Sequence, residues 1–492
     1  MKHVTENNRV ILVSFDGLRT DLIRNDITPN LIRLQRQGVT LDRHRTVYPS
    51  ETRAAMPSLV TGAVPGRHGM VGNAYLDRTV TPPFYADTAD DGLIEALDQA
   101  SSNSIMGTAS LGEILAGNGR TMAVYASNSP GTTRLFHHKA RRMGHLSING
   151  HHRPAATSEA YLSDLEKKFG PLPASPDPGI PDLASQSFLT SAALDQICSD
   201  AAPDLTVLSF GEPDISSHYC GTGEARTLQA LRWCDEQFGR VLDWFETDGR
   251  KNGYQIIVVS DHGHVTVKAR ADVHGALRDA GFKTGVAPSA EVDAIVIPGQ
   301  VGAVYLADPN ERNVTAAASA LMAAEWCGPI FTRGRDEVHG IAPGSFARSL
   351  AGMEHARAAD VLFSFRSDDE FDDFGLMGRT WSDDWPIGFG VHGGLHIKEM
   401  TAVCIMAGSK FKSDEVSTVP SGIVDITPTA LSLLELKQQF TFDGRVLAEA
   451  FSSHQSAPDF EERLFEASSG NFAQTLRHIR CDGTSYVDSA WR

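Results

Sequence analysis

Short apolar runs alternate with helix-spaced segments through most of this chain. Arg9–Ser14 (RVILVS) is β-branched and uninterrupted by charge, the pattern of a strand buried on both faces. It runs into Phe15-Asp16-Gly17, after which Pro29–Gly38 has helical spacing and a glycine to close it. Thr121–Ser127 (TMAVYAS), Leu205–Phe210 (LTVLSF), Gln255–Ser260 (QIIVVS) and Thr401–Ala407 (TAVCIMA) repeat the strand pattern. Between and after them, Arg53–Thr61, Arg226–Phe245 and Asp425–Leu436 carry helical periodicity.

Strands that alternate with helices predict an α/β fold with a mostly parallel central sheet flanked by helices. Such sheets place ligands at the carboxyl ends of their strands. Here the runs ending at Ser14, Phe210 and Ser260 are each followed by an aspartate: Asp16, Asp214 and Asp261. The periodicity changes between about 265 and 386, where Ala316–Trp326 looks helical and Asp368–Trp385 is rich in Asp, Gly and Trp. The expected division is a catalytic domain from 1–264 and 387–450, an inserted cap lobe at 265–386, and a C-terminal extension at 451–492. Residues 73–119 read as irregular, Pro171–Pro181 as an extended surface loop, and the tail after Ser452 carries no readable pattern.

The 492 residues, 41% hydrophobic and 21% charged, suffice for a large core with an appended lobe. No apolar run approaches the roughly 20 residues of a membrane span, so no membrane partner is expected. Residues 1–10 lack an apolar signal core, which points to the cytoplasm. Six cysteines without a Cys-x-x-Cys pair predict neither a disulfide framework nor a thiolate metal site. A formal charge of −17 argues against a nucleic-acid polymer as partner. A small anionic substrate stays compatible with it, because bound cations invert the local potential. Self-association into a homo-oligomer is left open.

The polar clusters that follow the strands carry the chemistry. They are Asp16, the Asp214-x-x-x-His218 pair, adjacent Asp261-His262, and His392 in Val391-His392-Gly393-Gly394. Carboxylate oxygen mixed with imidazole nitrogen suits Zn²⁺, whereas Mg²⁺ or Ca²⁺ would draw oxygen alone. Two such metals roughly 4 Å apart can clamp the attacking and leaving oxygens of a phosphoryl transfer. Singly, each cluster has a plainer meaning: Asp-Gly is a turn, and Asp214 with His218 is a helix cap and a surface histidine. The order and placement of the whole set at strand ends make the case.

Taken together, Val10–Asn73, Leu205–His264 and His392–Leu447, with Phe442-Asp443-Gly444-Arg445, resemble the alkaline phosphatase superfamily, specifically its nucleotide pyrophosphatase/phosphodiesterase branch. The resemblance implies one zinc held by Asp214, His218 and His392. It implies a second held by Asp16, Asp261, His262 and the Thr52 oxygen, with Mn²⁺ able to substitute. Thr52, in Tyr48-Pro49-Ser50-Glu51-Thr52, would be the nucleophile at a helix start, where a metal lowers its hydroxyl pKa. Without the metal set, Ser50, Glu51 or Thr52 would read as a mere N-cap. Asn73, in GRHGMVGN, would donate its amide to a non-bridging phosphoryl oxygen; the bland reading is a Gly-Asn turn. His44, His68, His264 and His396 lie near the motifs without a ligand role and are expected behind the ligands or facing solvent.

The chain also departs from that branch. Arg53-Ala54-Ala55 replaces the aromatic, Pro and Asn that follow the nucleophile in nucleotide-cleaving members. Arg53 is either a cation for a carboxylate or second phosphate, or an exposed first-turn residue. His392-Gly393-Gly394-Leu395 looks more like phosphonoacetate hydrolases. The expected function is a two-zinc hydrolase of phosphodiester or pyrophosphate bonds in a small organic phosphate, through a phospho-threonine. The alternative is a carboxylated-phosphonate C–P hydrolase, with Arg53, Lys139 and Lys268 as candidate carboxylate donors; a non-catalytic metal-binding protein is the third reading.

Overall fold

The apolar runs become neighbours in one sheet. The structure, a computed structural model, describes residues 8–101, 104–299, 301–436, 440–454 and 456–492; the polar residues 1–7 lie outside these. The central strands are β1 (Arg9–Phe15), β2 (Gly38–Leu41), β3 (Met122–Ala126), β4 (Leu146–Asn149), β5 (Leu205–Phe210), β6 (Tyr254–Val259), β7 (Cys404–Ala407) and β8 (Glu415–Ser417). Across the sheet they lie in the order β8-β2-β7-β6-β1-β5-β3-β4. β6, β1, β5, β3 and β4 run parallel, and β7 alone opposes its neighbours β6 and β2.

Why these runs are continuous is visible in the packing. Val10 and Leu12 of β1, with Val207 and Ile257, face a core closed by the Thr52–Thr61 and Ile426–Leu433 helices. Ile11 and Val13 face the opposite core, with Leu208, Ile256 and the Ala225–Trp244 helix. With both faces covered there is no side for polar alternation, so a parallel sheet reads as unbroken hydrophobicity. Thr52–Thr61 ends where expected, at Gly62 in the left-handed conformation (φ 63°).

Several expectations need correction. The helix beginning at Pro29 stops at Gln35, and Gly38 opens β2 instead of closing the helix. A Cβ on Gly38 would sit 2.1 Å from the Met406 carbonyl oxygen, so this glycine serves strand approach. The described residues of 73–119 carry regular elements, the hairpin Ala74–Asp77/Phe84–Asp87 and the helices Asp91–Ala100 and Leu111–Gly117. Local turn composition hid them, although Ser110 and Glu113 form a complete capping box.

The stretch after His264 builds two further sheets. One has six strands drawn from 284–365, and Glu311–Ala323 packs beside it. The other pairs Val265–Arg270 with Met377–Ser382 and with Gly390–Val391, directly before His392. The tail forms a three-stranded antiparallel sheet, Phe460–Ser469, Phe472–Cys481 and Thr484–Trp491. It fastens separate parts together: Gln474 bonds Ile330, Asp488 pairs with Arg45, and Tyr486 donates to Asp425 at 2.8 Å.

Arg445, from the Phe-Asp-Gly-Arg segment, lies at the centre of that junction. It is buried against Glu449 at 2.6 Å and bonds the Pro420 carbonyl and the Tyr486 hydroxyl. Replacing it with methionine strands Glu449 in the interior. Arg445→Met is expected to cost about 3–5 kcal/mol, read as a lower urea midpoint; an unchanged midpoint would show the ion pair to be dispensable.

Candidate active site

Each functional side chain arrives on an element whose local chemistry explains its position. Asp16 follows β1 and precedes Gly17, whose φ of 66° turns the chain away. A Cβ there would strike the His264 ring at 2.3 Å, so this position accepts only glycine. Asp214 opens the short helix Asp214–Cys220, and i,i+4 spacing puts His218 on the same face. Asp261, His262 and His264 follow β6 in sequence. Thr52 is the first residue of its helix, with Glu51 as N-cap in extended conformation.

These residues converge into two buried groups. One consists of Asp16, Asp261 and His262; the other of Asp214, His218, His264 and His392. In the first, His262 Nε2 lies 3.2 Å from Asp261 Oδ2 and 3.6 Å from Asp16 Oδ1. Thr52 Oγ1 is 3.1 Å from His262 Nε2 and 3.4 Å from Asp16 Oδ1. In the second, Asp214 Oδ1 lies 3.1 Å from His264 Nε2 and 3.4 Å from Nε2 of both His218 and His392. The rings of His262 and His392 stack at 3.7 Å and join the two groups.

Backbone contacts decide which ring nitrogen faces the centre. His218 Nδ1 contacts Gly390 O at 2.9 Å, His262 Nδ1 contacts Gly263 O at 3.0 Å, His264 Nδ1 contacts Gly17 O at 3.1 Å, and His392 Nδ1 contacts Ser50 O at 2.8 Å. A carbonyl only accepts, so Nδ1 of each neutral ring carries the proton and Nε2 carries the lone pair. His218 Nε2 and His392 Nε2 then face each other at 3.2 Å, and His264 Nε2 faces a carboxylate oxygen. Asp214 Oδ1, Asp261 Oδ2 and His264 Nε2 are buried without a hydrogen-bond partner. Converging lone pairs of this kind repel one another and fit a bound cation.

Electrostatics agrees except at His262, where the cost of burial is outweighed by Asp261 and the ring is held up at about 8. Burial pushes the Asp16 carboxyl well up, and the charges of Asp261 and Asp214 add to it. Burial likewise drives His218 down to about 4 and His392 well below the usual imidazole range. Asp214 is held low despite burial by the histidines around it. Positive charge at the two groups would relieve the carboxylate repulsion and favour neutral imidazole.

A cavity of about 820 Å³ opens onto this centre, lined among others by Asp16, Thr52, Asn73, Asp214, His218 and His392. Trp385, from the 265–386 stretch, stacks on His218 at 4.4 Å. Ile297, Val301 and Tyr305 of the six-stranded region form an apolar wall. All seven expected metal ligands and Asn73 are therefore gathered at one place.

Other expectations fare differently. His44, His68, His264 and His396 are all buried, so the solvent-facing alternative is wrong for each. His44 meets Ser421, His68 meets Ser58 and His396 meets Asp369, whereas His264 joins the second group. Arg53 lines the cavity, but its guanidinium is bonded to Asn73 O and Thr88 Oγ1. It is neither exposed nor a free cation. Lys139 pairs with Glu113 and Lys268 with Asp368, and neither lines the cavity. Sequence reasoning missed Asn128 altogether: its Nδ2 donates to Asp16 Oδ2 at 2.5 Å while Ser209 holds its oxygen. Its place just past β3, in line with Asp16 and Asp214, was the available signal.

The sequence model of the type I phosphodiesterase/nucleotide pyrophosphatase family matches residues 10–329. Mouse (Mus musculus) ectonucleotide pyrophosphatase/phosphodiesterase family member 7 is 24% identical over 275 residues, 54% of this chain and 52% of that protein. Human (Homo sapiens) bis(5'-adenosyl)-triphosphatase ENPP4 is 34% identical over 259 residues, 52% of this chain and 47% of that protein. The chain thus spans about half the length of the curated relatives it matches. Murine ectonucleotide pyrophosphatase/phosphodiesterase 5 superposes with a TM-score of 0.62 at 16% identity, over 90% of this chain and 100% of that one.

Removing one ligand from either group should be visible without any substrate. Asp261→Ala and His264→Ala are each expected to lower bound metal measured by elemental analysis. Added Zn²⁺ should raise the melting temperature of the wild type more than that of either variant. Stoichiometric metal retained in both variants would refute the assignment.

Proposed function

Because the chain belongs to the type I phosphodiesterase/nucleotide pyrophosphatase family, we propose that it is a two-zinc hydrolase that cleaves phosphodiester or pyrophosphate bonds of a small organic phosphate. The observation that carries this reading is the placement of Thr52. Its hydroxyl stands at the N-terminal end of a helix, within 3.4 Å of Asp16 and His262, beside a second group built on Asp214. Asp16, Asp261, His262 and the Thr52 oxygen would hold one cation; Asp214, His218 and His392, with His264 against them, would hold the other. Carboxylate and imidazole donors in this ratio suit Zn²⁺. When bound, the metals supply Lewis acidity, which lowers the Thr52 hydroxyl pKa and neutralises charge on the phosphoryl oxygens.

The chain's own groups account for the remaining work. Thr52 Oγ1 attacks phosphorus in line, the bond to the leaving oxygen breaks, and a phospho-threonine forms. The helix N-terminus favours the negative charge that develops beside it. Asn73 donates its amide N–H to a non-bridging oxygen of the five-coordinate transition state. Water from the open side of the cavity then displaces Thr52 from phosphorus. Each displacement inverts phosphorus, so the overall outcome is retention.

Substrate selection follows from the remaining walls. Outside the two ligand groups, the basic side chains described along the cavity are already paired: Arg53 with Asp87, His151 with Asp182, and His152 with Asp91. The carboxylated-phosphonate alternative lacks the uncommitted cation it requires, which supports the ester reading. The cavity exceeds a bare phosphate, and residues 265–386 supply Trp385 and the apolar wall. That stretch is the substrate-selecting cap in this reading.

Three measurements test the proposal. Zinc-loaded enzyme should hydrolyse bis(4-nitrophenyl) phosphate or a dinucleoside polyphosphate, and release no phosphate from phosphonoacetate. Thr52→Ala should reduce kcat by more than about a thousandfold while retaining metal. Hydrolysis of a chiral thiophosphate diester should retain configuration; inversion would rule out the covalent intermediate.

A further inference from the structure

With its guanidinium committed to the protein, Arg53 has another task, and the geometry around Asn73 shows which. We propose that Arg53 is a positioning residue: with Glu51 and Thr88 it locks Asn73 so that the Asn73 amide N–H is preset for the non-bridging oxygen of the reacting phosphorus. This inference rests on the function proposed above and adds how that donor is held.

Asn73 needs such a lock. It follows Gly72 in a segment without helix or strand, one residue before the Ala74–Asp77 strand. Three contacts supply what the backbone does not. Glu51, itself buried, accepts from Asn73 N at 2.5 Å. Arg53 N donates to Asn73 Oδ1 at 2.9 Å. A backbone N–H can only donate, so the carboxamide oxygen must be the end held there, and the N–H donors lie at the opposite end. The Asn73 carbonyl oxygen is the third point. It accepts from Thr88 Oγ1 at 2.7 Å, from Thr88 N at 3.1 Å and from Arg53 Nη2 at 3.3 Å.

Arg53 also ties these contacts to one another. Its Nε donates to Thr88 Oγ1 at 3.0 Å, and Asp87 Oδ1 lies 3.5 Å from its Nη2. The Asp87 carboxylate offsets the guanidinium charge, so Arg53 presents little net attraction to an anion in the cavity. A lysine could not reproduce this fork, because one ammonium cannot serve the Asn73 carbonyl, Thr88 and Asp87 in a fixed plane. Arg53 is bonded through one peptide unit to Thr52. The clamp therefore sets the oxyanion donor relative to the nucleophile itself. Donors contribute to a transition state to the extent that they are oriented beforehand.

The test is a double-mutant cycle on zinc-loaded full-length enzyme with bis(4-nitrophenyl) phosphate. Asn73→Ala should lower kcat by about 10²-fold, the usual loss for an oxyanion donor. Arg53→Ala should lower kcat by about tenfold with KM changed less than about threefold. In the Asn73→Ala background, Arg53→Ala should have almost no further effect. Thr88→Val, a smaller change that keeps Arg53, should show the same dependence on Asn73 and covers the case of an Arg53 variant that fails to fold. Arg53→Lys should recover only part of the lost kcat. Losses that multiply across the cycle, or a rise confined to KM, would overturn the clamp and make Arg53 an independent substrate contact. Full activity in both Arg53→Ala and Thr88→Val would overturn it as well. A wild-type enzyme inert toward this diester and toward dinucleoside polyphosphates overturns the proposed function and this inference together; wild-type turnover with an additive cycle overturns this inference alone.

Discussion

Three carboxylates and four imidazoles are buried together at the ends of the central strands, and nearly every feature of the fold answers to that concentration of lone pairs. Asp16, Asp214 and Asp261 repel one another there, and burial raises the cost of their charge. A neutral ring cannot relieve this by donating inward, because a backbone carbonyl already takes its Nδ1 proton. What remains is a shell of acceptors that suits cations and little else. Four carbonyls, from Gly17, Ser50, Gly263 and Gly390, thereby choose the chemistry of the centre without contributing a side chain.

The parallel sheet makes the shell affordable in conformational terms. β1, β5 and β6 are adjacent and share one direction, so their carboxyl ends deliver Asp16, Asp214 and Asp261 to one edge with little chain between strand and ligand. Two hydrophobic cores hold the strands in register from either face. His392 is the exception. It comes from far along the chain and is placed by the pairing of Gly390–Val391 with Val265–Arg270, and by Ser50, which bonds both the His392 ring and the Gly393–Gly394 backbone. The segment that carries Thr52 thus helps orient a histidine of the opposite group, which couples Thr52 and Asp214 through a single serine.

The later parts of the chain surround this core and do not interrupt it. The six-stranded region and Trp385 enclose the cavity, and the C-terminal sheet ties that region back through Gln474, Tyr486 and Asp488. Buried pairs such as Arg357 with Asp77 join the 265–386 stretch to the hairpin that ends at Asp87, next to Thr88. The cavity walls and the Asn73 clamp therefore rest on the same scaffold, although they come from distant parts of the sequence.

The sequence by itself determined the class of fold and singled out most of the side chains that gather at its site. Unbroken apolar runs require two covered faces, and a carboxylate or histidine just after such a run can only emerge at the sheet edge. That reasoning reached Asp16, Thr52, Asp214, His218, Asp261, His262 and His392, because their meaning depends on local spacing. It did not reach His264, Asn128 or the real task of Arg53. His264 becomes part of the centre only because Gly17 lets its ring approach Asp214, and Asn128 matters only because β3 lies beside β5. Arg53 could be read as a cation for substrate until Asp87 and Thr88, brought over by a hairpin, claimed its guanidinium. Which atoms a side chain finally satisfies is set by contacts between distant segments, and one-dimensional spacing carries no record of them.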